Sequence, residues 1–176
     1  ELYAFAASCA GAALRMSLDF IEPIPIVLLP RVLGHGGFTS RGIAVSYLDR
    51  NYANNDLAQV ALHEMTHLLD GRLHENSRAT LLVEGLAVYV SRGHYKPEPL
   101  LARSAALLAL DRYLPLLPLA DDFYPSQHEI GYMQAGALVQ YLVESYGWRP
   151  FFDFYGDVEL SGYPSQSAAI SAALQR

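Results

Sequence analysis

His63-Glu64-Met65-Thr66-His67 sets two imidazoles four residues apart, with a carboxylate beside the first. On a helix, positions i and i+4 share one face, a turn apart. Imidazoles so spaced can hold one Zn²⁺, and the neighbouring Glu can act on water bound to the metal. That chemistry suits hydrolysis of a peptide or ester bond. The chain holds 6 His, and chance gives the pattern roughly 0.01 times in such a chain, so its surroundings must decide. Glu64 is the only formal charge between Asp56 and Asp70. The ordinary alternative is an amphipathic helix with two histidines on its wet face. Against it, a lone carboxylate in an apolar run is costly to bury, and a metal with its water offsets that cost.

A catalytic zinc usually keeps three protein ligands and one open position. The candidate third ligand is Glu84, the only charged residue between Arg78 and Arg92. Its run, Leu81 to Val90, is apolar on nearly every helical face and reads as a buried helix. A carboxylate there needs a partner. A divalent cation would serve, as would an arginine such as Arg92 or Arg103.

H-E-M-T-H followed by L-V-E-G-L-A-V-Y resembles the gluzincin metallopeptidases, which carry H-E-x-x-H and then a ligand Glu on a downstream helix. The E-G-L-A-x-Y form is most similar to the M1-aminopeptidase-like and peptidase MA-like branches. The resemblance runs from about Ile24 to Gly147. It implies a zincin-like catalytic domain, with one Zn²⁺ per chain on His63, His67 and Glu84. Glu64 would be the general base, taking a proton from the metal-bound water, and the substrate would be a peptide or protein. The run from Gly131 to Gly147 resembles the family helix that follows the active site. Tyr132 there matches a tyrosine that donates to the tetrahedral oxyanion; a packed aromatic is the alternative. His128 is a second candidate for that role, otherwise a surface-loop histidine. Two departures stand out. No Gly-x-Met-Glu-Asn stretch precedes the zinc helix, so aminopeptidase specificity is not implied. Val88 stands where thermolysin-type members carry an Asp, and Asp70 is as readily a helix-end residue as a partner of the histidines. Two other readings compete with a peptidase: an inactive peptidase-like domain used for binding or scaffolding, and a zinc hydrolase of a non-peptide substrate.

The elements that must position these residues can be read from the pattern. The chain of 176 residues fits one domain. Its expected architecture is α+β. A small N-terminal mixed sheet, with an edge strand packed on the zinc helix, lies within 1–72, and a mostly helical lobe spans 73–176. Residues 2–17 read as a helix and 24–29 as a strand. Gly34 to Gly37 is a loop without the spacing of a phosphate loop. A second strand covers 42–48. In the resembling family this strand lies at the sheet edge and adds the substrate backbone as a further strand. Asn54, Asn55 and Asp56 supply cap chemistry for the zinc helix, and Gly71 suits its end. Ser77 can cap the Glu84 helix, which stops near Gly93. Pro99 to Tyr113 reads as a helix whose leucines are core. Residues 114–127, with three prolines, read as a loop crossing towards the active site. Helices follow over 132–146, ended by Gly147, and over 150–155, with Ser165 capping a last one. His35, His74 and His94 read as solvated.

Composition narrows the partners. Formal net charge is −6 and Lys96 is the only lysine, which argues against nucleic-acid binding. One cysteine excludes an internal disulfide and leaves the compartment open; the resemblance favours an extracytoplasmic or membrane-associated setting. The apolar stretch from Leu2 to Leu14 is too short to span a bilayer. With 52% apolar residues and a mean hydropathy of +0.14 the chain is greasy for a free-standing domain. It starts and stops inside helical patterns, so flanking domains of a longer chain are expected.

Overall fold

Branched apolar residues in short runs favour extended chain, and two such runs build the sheet. In the computed structural model, which describes residues 2–15, 24–30, 36–47, 57–74, 76–93, 98–126 and 128–176, helix α1 (Leu2–Ala13) precedes strands β1 (Ile26–Leu29), β2 (Gly37–Thr39) and β3 (Ile43–Ser46). Helices α2 (Leu57–Leu73), α3 (Thr80–Val90), α4 (Leu100–Ala109), α5 (Leu116–Asp121), α6 (His128–Tyr146), α7 (Trp148–Asp157) and α8 (Gln166–Ala173) follow. The architecture is therefore α+β, mostly helical, with one small mixed sheet. The chain forms two units: residues 1–73 with 90–97, and residues 74–89 with 98–176.

In the first unit the strand order is β1-β3-β2. β3 pairs in parallel with β1, Ile26 opposite Ile43, and antiparallel with β2, Thr39 opposite Ile43. This corrects one expectation. The strand just before the helix that carries His63 and His67 is not an edge: β3 is central and wholly buried. The edge nearest the motif is β2, three residues begun by Gly37 in a stretch read as loop. α2 packs on β2 and β3, and α1 packs on α2. Alanines 6, 7 and 10 bury the α1 face; small side chains let two helices approach closely. α1 stops at Ala13, short of residue 17, and Arg15 turns to φ 54°. Asn54, Asn55 and Asp56 fall outside the described residues. Gly71 does not end α2, which runs on to Leu73. A Cβ at Gly71 would meet nothing within 4 Å, so its lack of a side chain serves no contact, and the helical hydrogen bonds simply continue.

In the second unit α3 starts at Thr80, not at a Ser77 cap. The Ser77 carbonyl instead accepts from Leu160 N–H at 3.0 Å, and the Thr80 N–H donates to Gln166 Oε1 at 2.6 Å. A side chain from a distant helix thus does the capping. α3 and α6 come very close: a Cβ on Gly85 would lie 2.5 Å from the Ala135 carbonyl oxygen, and one on Gly136 would lie 2.3 Å from Val88 Cγ1. Only glycine permits that approach. α4 packs on α6, and of its leucines only Leu100 is buried; Leu101 and Leu108 on the helix, and Leu110 just beyond it, are exposed. The expected leucine core of 100–110 is therefore one residue deep, because α4 buries a single side. The stretch 114–127 holds α5, opened by Pro115 with φ −58°, a value that suits a helix start. Gln134 braces its approach, accepting from Leu114 N–H at 2.7 Å and donating to Leu114 O at 2.8 Å. Gly147, at φ 91°, ends α6. α7 begins at Trp148, two residues before Pro150, and extends to Asp157. Ser165 caps α8, its Oγ accepting from Ala168 N–H at 3.2 Å. Among the described residues no helix is long and apolar enough to cross a membrane.

Candidate functional site

His63, Glu64 and His67 belong to the first unit; Glu84 and Tyr132 belong to the second. α2 is buried on most sides, through Val60, Ala61, Leu62, Met65, Leu68 and Leu69. Its polar members must therefore find partners within the protein. Thr66 does so within the helix, its hydroxyl donating to the Leu62 carbonyl at 2.8 Å. The i, i+4 spacing brings the two imidazoles together as expected: His63 Nε2 and His67 Nε2 lie 3.0 Å apart, with the rings edge-on at 4.7 Å. Tetrahedral zinc, at about 2.0–2.1 Å from each nitrogen, needs them about 3.3–3.4 Å apart. A few tenths of an ångström of side-chain movement converts one arrangement into the other, so the pair fits a shared cation. Both histidines are half-buried. Asp70 is buried in the last turn of α2.

Glu64 is 7% exposed, and β2 is what holds it. Thr39 Oγ1 lies 2.8 Å from Glu64 Oε2 and 2.9 Å from the Glu64 carbonyl oxygen. The hydroxyl carries one hydrogen and donates to one of these oxygens at a time. Beside it, Gly37 leaves the space the side chain occupies: a Cβ there would stand 2.9 Å from Glu64 Cγ, from Glu64 Oε1 and from the Ala44 carbonyl oxygen. Sequence reasoning missed Gly37 and Thr39. A signal was present, since Gly37-Phe38-Thr39, the turn Ser40-Arg41-Gly42 and the strand after it form a hairpin pattern.

Glu84 sits on α3 among Leu81, Leu82, Leu86, Ala87 and Val88, all buried, and is itself 7% exposed. The following Gly85 lets α3 settle against α6, which fixes the backbone from which Glu84 projects. Tyr124, on the turn after α5, donates its hydroxyl to Glu84 Oε1 at 2.9 Å. Nothing in the sequence marked Tyr124, which lies in the stretch read as a loop crossing towards the active site. Arg103, one of the arginines weighed against a metal, has its Nη1 buried with no hydrogen-bond partner among the described residues. Tyr132 is buried, its ring 5.1 Å from that of Phe123. His128 is the first residue of α6 rather than a loop residue. His74 packs edge-on against Tyr155 at 5.4 Å, while His35 and His94 lie outside the described residues.

No protein-family model matches the chain, and no curated protein or solved structure compared with it does either.

Proposed function

We propose that the protein is a zinc-dependent peptidase of the gluzincin type, with a zincin-like catalytic arrangement. The observation that carries this reading is the pair of imidazole nitrogens 3.0 Å apart on α2, next in sequence to a buried carboxylate held by an edge strand. His63, His67 and Glu84 would be the ligands. Two imidazoles with one carboxylate are a donor set that zinc takes in hydrolases. When bound, zinc supplies a Lewis acid that brings a water's pKa towards about 7.

Glu64 would take the proton from that water at a carboxylate oxygen and later deliver it to the leaving amine. Thr39 and Gly37 would keep the carboxylate in place while it does so. Tyr132 would donate its hydroxyl to the oxyanion. The substrate backbone would lie along β2, the edge strand, as an added strand.

Zinc per chain, measured by elemental analysis of protein purified without added metal, tests the reading. About one equivalent is expected, lost in Glu84→Ala and His67→Ala and retained in Glu64→Gln. Glu64→Gln should lose nearly all turnover in a peptide-library digest. Absence of zinc, even after zinc is added, would remove the basis for the mechanism, and an active Glu64→Gln would sink the general-base role.

A further inference from the structure

Tyr124 belongs to no motif, and the chemistry above makes no use of it. Tyr124 is 62% exposed, with its ring against that of Phe123 at 5.6 Å. Its hydroxyl nevertheless reaches a carboxylate that is 7% exposed, across 40 residues of chain. Water could satisfy an exposed phenol, so the phenol itself gains little from the bond. Glu84 gains more. In an apolar helix it receives a hydrogen bond that restrains rotation about its terminal torsion. A carboxylate offers about four lone-pair sites on two oxygens, so a hydrogen bond from a phenol is compatible with a cation on the same group.

We propose that Tyr124 is a positioning residue that orients Glu84 for metal binding. The proposal rests on the reading of Glu84 as a metal ligand. Partners of this kind, one step out from the metal, typically change affinity by about 10–100-fold. The exposure of Tyr124 sets the expectation at the lower end, about tenfold.

Zinc affinity of the full chain, measured by competition with a chromophoric chelator, tests it without reference to activity. Tyr124→Phe keeps the ring and removes only the hydroxyl. It should weaken zinc binding about tenfold while the melting temperature of the metal-free protein stays within about 2 °C of the parent. In a Glu84→Ala background, already weakened, Tyr124→Phe should cause no further loss. Equal zinc affinity in Tyr124→Phe and parent would overturn the proposal. So would a tenfold loss that persists in the Glu84→Ala background, since the hydroxyl would then act elsewhere. If Glu84→Ala alone binds zinc as tightly as the parent, the ligand assignment itself fails, and that result stands apart from the other two.

Discussion

Gly37→Ala perturbs the surroundings of Glu64 directly. The added methyl would stand 2.9 Å from three atoms: the Ala44 carbonyl oxygen, Glu64 Cγ and Glu64 Oε1. Ordinary contact begins near 3.4 Å, so about 0.5 Å must be found. Ala44 lies on the central strand, paired on both sides, and cannot give that much without disturbing the sheet. The displacement therefore falls on the Glu64 side chain or on β2 itself, which carries Thr39. Overpacking of this size costs about 1–3 kcal/mol, a melting-temperature drop of roughly 2–12 °C for a chain of this length. If an ångström of misplacement costs about a hundredfold in rate, half an ångström costs about tenfold. The histidines are not touched, so zinc content should hold. Gly71→Ala is the matched control. With nothing near its Cβ, a helical Gly→Ala change should stabilise by about 0.5–1 kcal/mol. The assays are thermal unfolding, zinc analysis and turnover of the best peptide from a library. A Gly37→Ala protein that melts within a degree of the parent and keeps full turnover would refute the claim that β2 cradles Glu64.

Thr39→Val removes the hydroxyl that meets Glu64; kcat should fall about tenfold with KM and zinc content unchanged, and Thr39→Ser should restore it. A KM effect alone would place Thr39 on the substrate instead. Gly85→Ala drives a methyl to 2.5 Å from the Ala135 carbonyl oxygen, so α3 and α6 must part; a loss of about 3 kcal/mol in urea unfolding is expected, and a loss under 1 kcal/mol would contradict the close crossing. Asp121, whose carboxylate accepts from Ser167 Oγ and, at 2.8 Å, from Ser167 N–H, has its pKa held below the usual carboxylate value by those bonds. A folded pKa below the unfolded one contributes stability above the unfolded value and loses it as pH falls. Asp121→Asn should accordingly lower the melting temperature at pH 7, with the difference shrinking below about pH 4; a difference that does not change with pH would contradict this.

Much of the helix content was legible because it is local. The apolar run 57–69 reads as a helix, and α2 covers it. Ser165 reads as a cap and acts as one, since its partner N–H is three residues away. Where reading failed, a distant partner intervened. Ser77 reads as a cap for the Glu84 helix, but the first N–H of α3 is met by Gln166, 86 residues on. The leucines of 100–110 read as core, yet which of them is buried depends on how α4 packs against α6. β2 went unread because three residues carry too little alternation to count as a strand on their own. It exists because β3 offers it a hydrogen-bonding edge.

By itself the sequence determined the spacing of His63 and His67, since helical geometry alone puts residues i and i+4 on one face. It also determined that Glu64 and Glu84 sit in apolar runs where a carboxylate must be partnered. Which groups partner them only the tertiary structure decided. Thr39 is 25 residues from Glu64 and Tyr124 is 40 from Glu84. A hydrogen bond across such separations is set by how strands and helices pack, and no local rule of spacing can specify it.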